Sequence, residues 1–363
     1  MDIKMLKIGN LNIPIPIIQG GMGIGVSKSR LAAAVANEGG IGVISGAQIG
    51  YLEADFATNP LEANKRALRR EIIKAKHDAP GGIIGVNLMV AMKNYADFVK
   101  VAVEEKIDLI ISGAGLPIEL PGLVKGSKVK IVPIVSSLRA AKLILRSWKR
   151  DYDVEPDAII VEGSEAGGHL GFKFDELYNH TTQKLKDIVI ELKEYLTSLN
   201  IKIPIIAAGG LLTASDISNI MDAGASGVQL GTRFVVTEEC DASTPFKEAY
   251  INAKKENIQI MMSPVGLPGR ALNNPFLKQV ERLKRIKVDK CYFCLHKCNP
   301  AETVFCITTA LINAVEGRLD EGLIFVGAGA YFVDRISTVK EVMDELKLGF
   351  YSALNIDKPM STI

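Results

Sequence analysis

Charge of one sign is what this chain most plainly lacks: 43 Lys and Arg stand against 41 Asp and Glu in 363 residues, a formal net charge of +2. With no global field, nucleic acid and anionic membrane surfaces lose their electrostatic case as partners, and a small-molecule substrate becomes the expectation. Long apolar runs are also missing. None approaches the ~20 residues that cross a bilayer, and the first residues, Met1-Asp2-Ile3-Lys4, have neither the basic nor the uninterrupted apolar region of a signal peptide. A cytoplasmic protein is expected. Cysteine is scarce, with five in all, and in that compartment these are thiols, metal ligands or cluster ligands sooner than disulfides. There is no low-complexity tract, and no repeat beyond an echo of Pro16-Ile17-Ile18 in Pro204-Ile205-Ile206.

What is present is an alternation. Short apolar runs at residues 16–19, 41–45, 83–89, 109–112, 130–135, 158–161, 204–208 and 228–234 are separated by segments of helical period, such as 28–37 and 94–105. The segment 184–199 reads as the longest of these helices. Strands buried on both faces and wrapped by helices give this pattern. Eight strand–helix units in roughly 240 residues match an α/β fold of the (β/α)8 TIM-barrel type; an open doubly wound sheet is the alternative. After residue 236 the pattern changes. Residues 237–309 hold a proline- and glycine-broken loop, a charged helical stretch at 277–287 and most of the cysteines. They read as an inserted excursion over the barrel mouth, after the last barrel strand. Residues 310–363, with helices at 310–316 and 339–346, read as helices packing on the barrel.

Glycines gather where the strands end. Ala207-Ala208-Gly209-Gly210 closes one run, a helix over about 214–223 follows, and Gln229-Leu230-Gly231-Thr232 closes the next. Barrels bind phosphate in the loops after strands seven and eight, through glycine amides and a helix amino terminus. Thr213 and Asp216 read as that helix's own capping pair. Asn87 lies inside an apolar run, where a buried amide must be hydrogen-bonded. It either bonds core backbone or reads the polar edge of a ring, and Glu162 and Gln229 at strand ends invite the same reading. The stretch EGSEAGGHLG, Glu162 to Gly171, places His169 among glycines directly after a strand. A histidine there suits proton transfer or substrate polarisation, with Glu165 as a candidate to orient it. Arg270, in the loop over the mouth, is a candidate grip for a nicotinamide phosphate or a substrate anion. The basic run Lys65, Arg66, Arg69, Arg70, Lys74 and Lys76 reads as a solvated helix face, with an acidic carrier protein as the sharper alternative.

Cys291-x2-Cys294-x3-Cys298-x7-Cys306 forms a second cluster. Close cysteine pairs in such a chain favour an iron-sulfur cluster or structural zinc, with His296 as an alternative ligand; unligated thiols or a labile disulfide are the other readings. Cys240 stands apart as a packing residue.

At these residues the chain resembles a known family. PIIQGGMG from Pro16, GVNLM from Gly85, EGSEAGGHLG, AAGG, QLGTRF and SPVGLPGRALNNPF from Ser263 are similar, in order over roughly three quarters of the chain, to the nitronate monooxygenases, once called 2-nitropropane dioxygenases. The flavin-dependent enoyl-acyl-carrier-protein reductases are a sister group with the same motifs. The resemblance implies a TIM barrel holding FMN, with the phosphate on Gly209, Gly210, Gly231 and Thr232, the loop that also carries Leu230. It implies Gly21 and Met22 beside the flavin, and Asn87, Glu162, Gly167, Gly168 and Gln229 against its ring or ribityl chain. His169 matches the family's active-site histidine, on the substrate side of the flavin. The implied reaction is oxidation of alkyl nitronates by molecular oxygen. Alternatives are an NAD(P)H-dependent flavin reductase acting on an enoyl thioester or a quinone, and a non-catalytic flavin or metal redox sensor. A homodimer is compatible with this reading. The cysteine cluster departs from the usual short members of either group, and iron there would favour a reductase.

Overall fold

Eight parallel strands close into a barrel in a computed structural model that describes residues 5–353. The Met1-Asp2-Ile3-Lys4 stretch and residues 354–363 of the carboxyl-terminal segment lie outside the described residues. The strands are β1 (Ile17–Gln19), β2 (Ile41–Ser45), β3 (Ile83–Met89), β4 (Leu109–Gly113), β5 (Lys130–Val135), β6 (Ile159–Glu162), β7 (Ile205–Ala208) and β8 (Gly227–Leu230). Each pairs with its neighbour in the chain, and β8 returns to β1. Period-two alternation explains why the runs are apolar throughout. Ile18, Val43, Ile111, Val132, Ile160 and Ile206 fill the barrel interior. Their neighbours Ile17, Ile44, Ile110, Ile131, Ile159 and Ile205 pack outward under the helices. The weakest seam is β1–β2, paired only at Ile18 and Ile41. There the buried Gln19 side chain substitutes for a backbone partner, its Oε1 accepting from the Val43 amide at 3.0 Å.

A hairpin that the apolar runs did not indicate, Leu6–Ile8 with Leu11–Ile13, seals the barrel's amino end. Its Leu6, Ile8 and Ile13 join the interior cluster, and its turn lies against Lys130 and Asp157. The carboxyl ends of the strands are left as the mouth.

Three boundaries differ from expectation. The run at 228–234 is strand only to Leu230; Thr232–Val235 is a helical turn whose Phe234 and Val235 amides donate to the Gly231 carbonyl. The apolarity beyond Leu230 reflects burial of that turn and not further extension. Among the described residues the longest helix is Pro60–Asp78, with 19 residues, while Leu185–Ser198 has 14. Charged residues obscure its apolar stripe. Its arginines are ion-paired at the surface, Arg66 with Glu53 and Asp55, Arg69 with Glu104 and Glu105, and Arg70 with Glu53. Third, the eighth strand–helix unit is split. Val339–Ala353 packs on Ala214–Asp222 and Ser29–Asn37, the helices that follow β7 and β1. It thus fills the last helical place after a long excursion. Ile307–Val315 instead shares an apolar cluster with Phe276, Leu277 and Phe305 of the excursion and with Leu323.

Candidate active site

Register places the polar strand ends at one level. Ala208 of β7 pairs with Glu162 of β6 on one side and Gln229 of β8 on the other, and Asn87 of β3 pairs with Ser45 of β2. Side chains at such positions converge on the mouth because the tilt of a closed barrel fixes where each strand ends. Gly21, Met22, Asn87, Glu162, Gly167, Gly168, His169, Gly209, Gly210, Gln229, Leu230, Gly231 and Thr232 all line one cavity there. The excursion adds Phe246 and Tyr250 to an apolar roof that Leu311 of the following helix and Leu323 and Phe325 beyond it complete. Those five residues were not anticipated; nothing in their spacing distinguishes them from core positions.

The floor can accept a planar polar ring. Gln229 is 8% exposed and its Oε1 is buried with no hydrogen-bond partner, a cost that a ligand N–H removes. The Asn87 side chain has no protein hydrogen-bond partner among the described residues, and Asn87 lines the cavity. Gly21 is needed beside it: a Cβ there would stand 2.3 Å from the Asn87 Cβ. Burial raises the Glu162 carboxyl to about 7, so it is largely neutral in mildly acidic solution.

The two glycine turns can accept an anion. Gly209 and Gly210 have φ of 90° and 80°, left-handed values that glycine adopts without strain. The amides of Gly209, Gly210 and Gly231 donate to no protein acceptor among the described residues. In the helix that follows, Ala214–Asp222, Asp216 Oδ2 takes the Leu212 and Thr213 amides at 3.0 and 2.8 Å, and Thr213 Oγ1 takes the Asp216 amide. This capping box engages one amide of the helix's first turn and sets a carboxylate beside it. The open amides of the glycine turns are the clearer anion donors.

His169 does not stand on a barrel strand. The loop after β6 folds into a short strand, Gly168–His169, on the edge of a hairpin formed by Ile258–Met262 and Pro268–Leu272. Gly269 pairs with His169, and Arg270 with Gly168. Arg270 is not free to grip a ligand phosphate. Its guanidinium donates to the carbonyls of Ala166 (3.2 Å) and Ser164 (2.5 Å), clamping the excursion onto the glycine-rich turn. Nor does Glu165 orient the histidine. The ring nitrogen Nε2 lies 2.7 Å from Ser263 Oγ, and the Phe325 ring meets the imidazole edge-on, centroids 4.9 Å apart. Burial holds the imidazole neutral, lowering it to about 4. Ser263 was visible beforehand only as part of SPVGLPGRALNNPF; its partner could not be read before the hairpin register was known.

Cys291, Cys294, Cys298 and Cys306 are free, partly buried thiols. Among the described residues no group of three or more His, Cys, Asp or Glu side chains is arranged to hold a metal ion, so the expected joint ligation is not displayed. Cys240 is fully buried and donates to the Val26 carbonyl, a packing residue. Among the described residues no helix is long and apolar enough to cross a membrane.

A closed parallel barrel whose carboxyl-end mouth is lined by polar strand ends and two glycine turns has the architecture of a TIM-barrel enzyme. The chain belongs to the nitronate monooxygenase family, whose model matches residues 4–349. It is 25% identical over 303 residues to a probable nitronate monooxygenase of Staphylococcus saprophyticus, covering 77% of this chain and 81% of that one. It is 27% identical over 266 residues to a (3aS,4S,5R,7aS)-5-hydroxy-7a-methyl-1-oxo-octahydro-1H-indene-4-carboxyl-CoA dehydrogenase of Rhodococcus jostii, over 73% of this chain but only 65% of that relative's length. Among solved structures, FabK from Thermotoga maritima superposes with a TM-score of 0.73 at 28% identity, covering 94% of each chain.

Proposed function

We propose that the chain binds FMN at this mouth and oxidises alkyl nitronates with molecular oxygen. The observation that carries the reading is the convergence of His169, the unpartnered Gln229 Oε1 and the two glycine turns on one cavity. Gln229, Asn87 and Glu162 would hold the polar edge of the ring, and the amides of Gly209, Gly210, Gly231 and Thr232 the phosphate. Cavities with few convergent polar groups on an apolar lining are suited to this. Bound there, the flavin would accept electrons from the substrate and pass them to oxygen. The protein's own part would be positional: Phe246, Tyr250, Leu323 and Phe325 would exclude water from the pocket, and His169 would meet the substrate.

A second reading has a specific observation behind it. The Rhodococcus relative carries a CoA dehydrogenase name, which favours a thioester substrate handled by the same flavin, with NAD(P)H as partner in a reductase. Against it, Arg270 is engaged with backbone carbonyls, so the most evident cation for a nicotinamide or CoA phosphate is withdrawn. Anaerobic addition of a nitronate, NADH or NADPH to the purified flavoprotein separates the two. Flavin bleaching by nitronate alone is expected; bleaching by a nicotinamide with none by nitronate overturns the first reading.

A further inference from the structure

The contact between His169 and Ser263 engages one of the two ring nitrogens, Nε2. Ser263 is 5% exposed and sits in the turn that joins the two hairpin strands. That turn is closed by its amide on the Leu267 carbonyl (3.0 Å) and by the Gly266 amide on its own carbonyl (2.9 Å). The hydroxyl oxygen accepts the Val265 amide at 3.3 Å and lies 2.7 Å from His169 Nε2. The histidine cannot swing away, because its backbone pairs with Gly269, the Leu170 amide donates to the Pro268 carbonyl, and Phe325 stands against the ring.

Two hydrogen placements satisfy the short contact. If Nε2 carries the proton and donates to Ser263, the serine O–H is left with no acceptor among the described residues, in a buried place where an unused donor is costly. If Ser263 donates to Nε2, both of its contacts are used: the oxygen accepts from Val265 and the O–H is spent on the imidazole. A neutral imidazole that accepts at Nε2 must carry its proton on Nδ1.

Resting on the flavin-pocket reading above, we infer that Ser263 is a positioning residue that fixes His169 in the Nδ1–H form, so that the histidine offers the substrate a hydrogen-bond donor and not a base. The consequence is a substrate class. A donor at this point stabilises an oxygen that already bears negative charge, or one that gains it as electrons leave for the flavin. It cannot take a proton from carbon. The protein should therefore act on the preformed nitronate anion and not on the neutral parent nitroalkane.

The tautomer is read directly by heteronuclear NMR of the full-length flavoprotein with isotope-labelled histidine. Wild type should show the proton on Nδ1 of His169, Ser263→Ala a mixture of both forms, and Ser263→Thr, which keeps the hydroxyl, the wild-type form. With nitronate, Ser263→Ala should lose about tenfold in kcat with little change in KM, the scale of one hydrogen bond, and Ser263→Thr should recover most of it. Wild type should turn over the nitronate at least about a hundredfold faster than the neutral nitroalkane, the range in which a missing general base is felt. Nε2 protonation in the wild type, or comparable rates on the two substrates, overturns the inference. The spectrum needs no turnover, so it stands or falls apart from the anaerobic test of the nitronate reading.

Discussion

The mouth of the barrel and the cysteine loop were equally conspicuous as clusters of reactive residues, and the fold treats them differently. At the mouth, Glu162, Ala208 and Gln229 are level because ladder register makes them so, and His169 is held by a second sheet built on top. The cysteines lie between Leu283 and Ile307, where there is no helix or strand apart from a bridge of Leu295 to Met92. Their loop is held by scattered side-chain and single backbone contacts: the Lys93 amide on the Cys294 carbonyl, the His296 amide on the Ala91 carbonyl, the Tyr292 ring stacked on Phe56, and Leu295 and Phe305 buried in an apolar cluster. Residues converge dependably when regular pairing dictates where each one ends. Spacing within a loop carries no comparable constraint.

The largest expected effect tests the first half of that contrast. His169→Ala removes one side chain from a backbone that Arg270 and the hairpin continue to hold, so flavin should be retained while kcat on a nitronate falls by about 10²–10³, the scale of one donor in a preorganised site. Loss of flavin absorbance together with activity would show instead that the histidine organises the mouth.

Glu162→Gln is expected to act through pH. In the flavin-free protein burial raises this carboxyl from its ordinary 4.5 to about 7. Folding therefore favours the protonated form, and the stability tied to it is complete below about pH 4.5 and is lost as pH rises through 7. The loss approaches about 3 kcal/mol. His169 has the opposite sign: lowered to about 4 by burial, its contribution is present above 6.5 and lost as pH falls through 4. Glu162→Gln should flatten the neutral side of the curve and leave the acid side unchanged. Chemical denaturation of wild type and variant from pH 5 to about 8 checks this; parallel curves would mean that the carboxyl finds a partner in solution.

Gly21→Ala should cost less, about 1–3 kcal/mol for an overpacked position, because its new Cβ meets Asn87 at 2.3 Å. Flavin affinity should fall with it, read by fluorescence titration. An Ala variant with unchanged affinity would show that β1 and β3 can part without disturbing the mouth.

How much of this was legible follows the same division. β2, β3 and β5 match their apolar runs residue for residue, since strands buried on both faces are apolar from end to end. The overrun past Leu230 came from the same signal, which reports burial and cannot tell a strand from the buried turn Thr232–Val235. The amino-terminal hairpin had a readable cue in Leu6, Ile8, Leu11 and Ile13 alternating around Gly9-Asn10, but its three-residue strands fall below the length at which an apolar run stands out. The cavity floor was readable because polar residues at the ends of apolar runs are conspicuous. Ser263, Phe325 and Arg270 were not, because their roles depend on a hairpin register between segments about a hundred residues apart in sequence, which local pattern does not carry.

The smallest expected effect falls on the other region. Cys298 is a partly buried free thiol on a loop, raised by burial and then by the neighbouring Cys291. Cys298→Ser disturbs only the thiol's hydrogen bond with Thr303, which a hydroxyl can keep, so stability should change by no more than about 0.5 kcal/mol, the range of surface substitutions. Thiol reagents should modify Cys291, Cys298 and Cys306 in the native protein, while Cys240, raised to about 11 and enclosed, reacts only on unfolding. Iron and zinc analysis after anaerobic purification accompanies the denaturation curve. If metal is present and Cys298→Ser releases it with a loss of several kcal/mol, ligation has imposed on this loop the order that ladder pairing imposes on the mouth, and the two regions differ only in what holds them.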